Sequence, residues 1–213
     1  MGREIVDLAA MDKTLSVTGA AGRVKKLDFD PIQTDVVIEF STPDGFGLAL
    51  DWCVKHGKPL VSGTTGLSDR DKRKLSRAAK RIAVLYSANM SLGIAVLSSM
   101  LESFRALPDW DFQIEEAHHN QKKDRPSGTA ILLDQRLESV LGRKLPEPNS
   151  LRGGGIPGIH QVWAMGPEEV VVLQHTAFNR KVFACGALRA ARWLFDKGQP
   201  GLYDLSDLYK TEL

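Results

Sequence analysis

Three short apolar runs, Val36-Val37-Ile38, Leu60-Val61 and Ile82 to Leu85, are separated by stretches long enough for a helix. That alternation constrains the fold more than any other feature. Runs that are apolar throughout suit strands buried on both faces, which occur in parallel sheets covered by crossover helices. The spacers fit. Asp44 to His56 predicts a helix closed by Gly57, and Ser68 is placed to cap a basic helix reaching Arg81. Upstream, Arg3 to Met11 predicts an amphipathic helix with Ile5, Leu8 and Ala9 on one face, and Leu15 to Ala20 predicts a strand.

The texture changes after residue 89. Met90 to Phe104 predicts a longer helix, and Trp110 to Ala117 alternates, with Phe112 and Ile114 on one side and Gln113 and Glu115 on the other. Alternation marks a strand with one buried face. Thr129 to Leu141 predicts a helix, Val162 to Met165 and Val170 to His175 a pair of strands, and Val182 to Lys197 a helix stopped by Gly198. A length of 213 residues accommodates one large or two small domains. The expected division is a nucleotide-type α/β domain over 1–89 and 181–213, with an α+β domain inserted at 90–180.

Composition narrows the function. Lys plus Arg total 28 against 26 acids, a net charge of +2, so no global field favours nucleic acid or an anionic membrane. The basic run Lys72-Arg73-Lys74 with Arg77, Lys80 and Arg81 has no interleaved aromatics and fits a solvated helix face. No apolar run approaches the roughly 20 residues that span a bilayer. No signal peptide is visible, and Cys53 and Cys185 suggest no disulfide framework, so a cytoplasmic protein is expected.

The chemistry concentrates in Glu116-Ala117-His118-His119-Asn120-Gln121-Lys122-Lys123-Asp124-Arg125-Pro126-Ser127-Gly128-Thr129-Ala130. Imidazole exchanges protons near neutral pH, and lysine offers charged donors. A Ser-Gly-Thr turn opening a helix offers free N–H groups and the positive end of the helix dipole to an anion. Such a segment suits a carboxylate-bearing small molecule with an acid beside it. Ser127 alone also reads as a plain N-cap, and both roles are compatible. Glu115-x-x-His118 matches a spacing used by helix-borne metal sites, but this segment alternates like a strand and no metal is expected.

The run E-A-H-H-x-x-K-x-D-x-P-S-G-T-A resembles the signature of the dihydrodipicolinate reductase family. Phe40-Ser41-Thr42-Pro43, Gly63-Thr64-Thr65-Gly66, Ser87 to Gly93, and a block from His175 through Arg180 to Leu188 resemble the same family in the same order. The resemblance covers nearly the whole chain. It implies a Rossmann-like parallel-sheet domain with an inserted α+β domain for substrate and oligomerisation, commonly in a homotetramer. It further implies nicotinamide-dependent reduction of a cyclic unsaturated dicarboxylate, 4-hydroxy-tetrahydrodipicolinate, in lysine and diaminopimelate biosynthesis. On it His118 is the general acid and Lys122 assists. His119, Ser127, Gly128, Thr129, His160 and Arg180 meet the substrate. Gly2, Arg3, Arg23, Phe40, Gly63, Thr64, Thr65, Ala88, Asn89 and Met90 lie at the cofactor, Met90 standing where the family has phenylalanine.

The start departs from that pattern. Met1-Gly2-Arg3-Glu4-Ile5-Val6 matches what the family shows just after its glycine loop, so the first strand and most of the phosphate loop are expected to be absent, roughly a dozen residues. Gly19-Ala20-Ala21-Gly22-Arg23-Val24 offers a competing match, but it leaves too little chain for the crossover before the next strand. The two consequences are an active reductase whose nucleotide site is completed, or an inactive truncated relative that keeps the dicarboxylate-binding and oligomerisation domain but binds nucleotide poorly. Around the end of the second expected strand, Arg23, Lys25 and Lys26 precede any acid until Asp28. An acid there would favour NADH, whereas cations suit the 2′-phosphate of NADPH, unless this is only a solvated basic loop.

Overall fold

A computed structural model describes residues 1–22 and 26–210. The chain forms two compact units, Met1–Met90 joined by the segment from Lys181 onward, and Ser91–Arg180 between them.

The first unit opens with helix α1 (Gly2–Ala10), which buries Ile5 and Ala9. Residues 15–20 form no strand, contrary to their apolar pattern. A strand exists only through a partner's ladder, and the sheet's nearest edge, β1 (Val37–Glu39), pairs only with β2 among the described residues. Helix α2 (Pro43–His56) starts on Thr42 and ends at Gly57, whose φ of 66° is the left-handed conformation that glycine adopts without strain. Strand β2 (Leu60–Ser62) follows, then α3 (Asp69–Ala78). The Ser68 hydroxyl and the Asp71 carboxylate close a reciprocal capping box at the start of α3. That helix stops short of Arg81. Strand β3 (Ala83–Tyr86) completes this half.

The second unit begins with α4 (Leu92–Met100), which tightens into a 3₁₀ turn over Leu101–Ala106 where a continuous helix is predicted. Strand β4 (Asp111–His118), helix α5 (Gly128–Leu141), and strands β5 (Asn149–Arg152), β6 (Ile159–Met165) and β7 (Val170–Thr176) follow. The sheet order is β5-β4-β6-β7, with β5 parallel to β4 and the other pairs antiparallel. Its core joins Phe112, Ile114, Val162 and Ala164 of the sheet to Leu133 and Leu137 of α5 and Leu97 of α4.

The chain returns to the first unit through α6 (Lys181–Lys197), β8 (Gly201–Tyr203) and α7 (Leu205–Lys210). The sheet there is parallel throughout, ordered β1-β2-β3-β8. Helix α6 packs on α1 and across β1 to β3. A Cβ added at Gly186 would lie 1.8 Å from the Met90 carbonyl oxygen, so glycine is what lets this helix approach. The strand β8 and its parallel pairing are invisible in Gly201-Leu202-Tyr203, which has no apolar run.

Candidate active site

The alternation that buries Phe112 and Ile114 continues along β4 and turns Glu116 and His118 to the same face. Register then gathers the partners. Glu116 stands opposite His160 on β6 and beside Ser150 on β5, His118 beside Arg152, and His160 opposite His175 on β7. Four strands thus bring together residues from four distant parts of the chain.

Glu116 is the hub. Its Oε2 lies 2.5 Å from His118 Nδ1, and Arg152 grips both oxygens, Nη1 to Oε2 at 2.7 Å and Nη2 to Oε1 at 2.6 Å. The Ser150 hydroxyl donates to Oε1 at 2.7 Å and the Ser127 N–H at 3.1 Å. Burial alone would raise the Glu116 pKa, but the Arg152 guanidinium, the Ser150 hydroxyl and His118 outweigh it and hold the carboxyl at about 2. Glu116 is therefore an anion at neutral pH.

His118 is buried, and burial pushes its pKa below the ordinary imidazole value despite the opposing carboxylate; Lys122 and Arg152 add to the lowering. Its Nε2 faces Gly158, where an added Cβ would sit 3.1 Å away. The His160 ring stands edge-on to His118 with centroids 5.1 Å apart, and its Nε2 lies 3.2 Å from Ser127 Oγ. Burial first, then neighbouring His118, brings the His160 pKa down to about 3, so this ring stays neutral. His175 is lowered by burial, and its Nε2 meets Ser91 Oγ at 3.0 Å. The Nδ1 atoms of His160 and His175 are buried without a hydrogen-bond partner among the described residues. Among the described residues no group of three or more His, Cys, Asp and Glu side chains is arranged to hold a metal ion.

Ser127 caps α5, its hydroxyl accepting from the Ala130 N–H, which leaves Gly128 exposed and Thr129 half-buried in the first turn. Lys122 Nζ pairs with Asp124 Oδ2 at 2.8 Å in the preceding loop. Arg152 ties that loop down by donating to the carbonyls of Lys122 and Asp124. β4 ends at His118, so His119 is half-buried just beyond it and its ring is not part of the cluster. Arg180 is exposed immediately before α6. Glu116, Ser150, Arg152, Gly158 and His175 are absent from the residues that sequence reasoning assigned. Glu116 had a usable signal, two residues from His118 on an alternating strand, and His175 opens one of the blocks that carry the resemblance.

In the first unit Phe40, Gly63 to Thr65 and Ala88 to Met90 follow the C-terminal ends of the parallel strands β1, β2 and β3, where doubly wound sheets bind ligands. Glu39, the last residue of β1, is buried and accepts from the Ser41 N–H at 2.6 Å, Ser62 Oγ at 2.8 Å and Thr64 Oγ1 at 2.7 Å, as well as from the Ser41 hydroxyl. Thr64 is thereby committed to the loop's own structure, while Thr65 is exposed. The Phe40 ring lies against Gly63, where a Cβ would meet it at 2.2 Å. Ala88 is exposed and Asn89 buried. Met90 is 1% exposed, its side chain packed in the interior. Gly2 and Arg3 are exposed in the first turn of α1. Arg23 lies outside the described residues.

Comparison with known proteins accounts for both units. Residues 1–90 match the family model for the dihydrodipicolinate reductase N-terminus, and residues 93–209 that for its C-terminus. The chain is 46% identical over 209 residues to the 4-hydroxy-tetrahydrodipicolinate reductase of Bdellovibrio bacteriovorus, covering 98% of this chain and 91% of the relative. It is 43% identical to the enzyme of the same name from Xanthomonas euvesicatoria, covering 98% and 92%. Among solved structures, a dipicolinate-bound dihydrodipicolinate reductase from Paenisporosarcina superposes with a TM-score of 0.77 at 20% identity, covering 97% of this chain and 94% of that one.

Proposed function

The chain belongs to the dihydrodipicolinate reductase family, and from that premise we propose that it reduces 4-hydroxy-tetrahydrodipicolinate to tetrahydrodipicolinate at the expense of NADPH. The observation that carries this reading is the buried pairing of His118 with Glu116 beside the opening turn of α5.

The nicotinamide nucleotide belongs to the first unit. The strand-end loops fit it: Gly63 carries no side chain against Phe40, and Glu39 fixes the Gly-Thr-Thr turn that follows. Phe40, Gly63, Thr65, Ala88 and Asn89 would hold the nicotinamide end, Gly2 and Arg3 the phosphates, and Arg23 the adenosine 2′-phosphate. Arg23 with Lys25 and Lys26, and no acid before Asp28, supports NADPH over NADH. When bound, the reduced nicotinamide supplies a hydride.

The chain's own residues do the rest. An electron-rich hydride acceptor needs a proton, and His118 donates it from Nε2 while its Nδ1–H stays on Glu116. The first turn of α5 at Gly128 and Thr129 and the Lys122 ammonium hold a substrate carboxylate, with His119, His160 and Arg180 completing the dicarboxylate contacts. A dianion beside His118 favours its charged form and offsets the lowering that burial causes, so the acid is charged by the substrate it serves.

The apolar edge of β7, where Val170, Val171 and Val172 are exposed, supports assembly of identical chains into a homotetramer. The enzyme works in the cytoplasm on this reading. The test is an absorbance assay of this 213-residue chain. Substrate-dependent NADPH oxidation at a kcat/KM well above that with NADH is expected. A folded protein that binds neither nucleotide by fluorescence titration overturns the proposal.

A further inference from the structure

We propose that Glu116 and Arg152 are positioning residues for His118: the carboxylate fixes which ring nitrogen keeps its proton, and the guanidinium limits how tightly that carboxylate holds the charged ring. The inference rests on the reading of His118 as the proton donor.

An ionised carboxylate only accepts hydrogen bonds, so at 2.5 Å from Glu116 Oε2 the His118 Nδ1 must carry the hydrogen. That leaves Nε2, on the Gly158 side, as the nitrogen that gives and regains a proton. A carboxylate alone would bind the imidazolium so firmly that the acid became weak. Arg152 opposes this by taking both oxygens of the same carboxylate, in a pair whose side chains are 2% and 0% exposed. Ser150 and the Ser127 N–H further spread the charge. An ion pair built only to brace strands has no need of a titratable ring as its third member. Here the ring occupies the carboxylate's remaining direction.

The charged and titratable groups around His118 act on it from every side. Glu116 comes from β4, Arg152 from β5, Lys122 with its partner Asp124 from the loop after β4, and His160 from β6 with His175 behind it. The start of α5 contributes only the uncharged Ser127. Among these, Glu116 is the one anion in contact with the ring, and Arg152 is the cation in contact with that anion.

The test follows His118 by ¹⁵N-histidine NMR in the unmodified protein and in Glu116→Gln, Arg152→Gln and Arg152→Lys, without substrate. The neutral ring of the unmodified protein is expected as the Nδ1–H tautomer. Its titration midpoint should fall by about one pH unit in Glu116→Gln and rise by about one in Arg152→Gln, because an adjacent opposite or like charge moves a pKa by that order. Arg152→Lys, which keeps the charge, should restore the midpoint. A merely structural pair would not produce shifts of opposite sign. An Nε2–H tautomer in the unmodified protein overturns the inference even if a variant does not fold, and so do shifts that are absent or of the same sign. The pH at which kcat/KM declines, which reports the free enzyme, should track the NMR midpoint. If the midpoints separate while that decline stays fixed, the positioning holds and His118 is not the acid.

Discussion

Among the described residues each unit buries one glutamate near the C-terminal end of a strand, and the two are held in opposite ways. Glu39 is surrounded by hydroxyls and a backbone N–H, with no cation among its described partners. Glu116 is gripped by a guanidinium and pressed against an imidazole. Neutral donors pin a carboxylate and so shape the loops that bear them, whereas a carboxylate between a permanent cation and a titratable ring sets the ring's proton affinity. The first arrangement builds a seat and the second tunes a reaction. A buried acid is thus read by its partners, not by its burial.

The sharpest break between the two is at the ring itself. His118→Gln should lower kcat about a hundred- to ten-thousandfold, the usual contribution of a positioned acid, while leaving NADPH affinity in a fluorescence titration nearly unchanged. Equal losses in both would show that the ring serves structure. Gly158→Ala should cost about tenfold or more in kcat, because the new methyl presses on an Nε2 whose ring Glu116 prevents from yielding. On the other side of the comparison, Glu39→Gln should cost about 2–3 kcal/mol of stability by weakening bonds to a charged acceptor, and should raise the KM for NADPH. The pH at which kcat declines should not move. A displaced decline would mean that Glu39 acts on the chemistry as Glu116 does.

How far this was legible in the sequence follows the same divide. Period and punctuation announce local structure, so α2 with its Gly57 stop, the Ser68 cap and the β4 alternation were all readable. Leu15 to Ala20 has the same apolar look as a strand and is none, because pairing is supplied by neighbours and not by the segment. Asn149 to Arg152 has no such look and is one, because β4 recruits it. The long motif isolated His118, Lys122 and Ser127, since their chemistry lies within one segment. Arg152 and His175 could not be found that way. They reach the cluster only through the registers of β5 on β4 and of β7 on β6.

The histidines of the second unit also predict a loss of stability in acid. The His160 pKa falls from 6.5 to about 3 on folding, so between those values the unfolded chain binds more protons than the folded one. Stability is then fully present above about pH 6.5 and is lost as the pH falls, by about 2 kcal/mol at pH 5 from this ring alone. Glu116, lowered from 4.5 to about 2, adds its loss only at lower pH and in the same direction. Melting temperatures across pH 7 to 5 should decline, and His160→Gln should flatten the decline. An equally steep decline in that variant would place the acid weakness elsewhere.

The smallest effects come from two serines that cap helices alike. Ser68 closes a capping box whose members are exposed, and Ser68→Ala should cost about 1 kcal/mol with kinetics unchanged. Ser127 has the same cap geometry on α5, but its hydroxyl also lies 3.2 Å from His160 Nε2, whose Nδ1 is already without a partner. Ser127→Ala therefore removes a cap and leaves a buried ring with neither nitrogen bonded. It should cost visibly more than Ser68→Ala in a denaturant melt, by about a further 1 kcal/mol, and should raise the KM for the dicarboxylate. Equal costs with unchanged KM would reduce Ser127 to a cap, and would confine the chemistry of this segment to the strand end at His118 and the loop at Lys122.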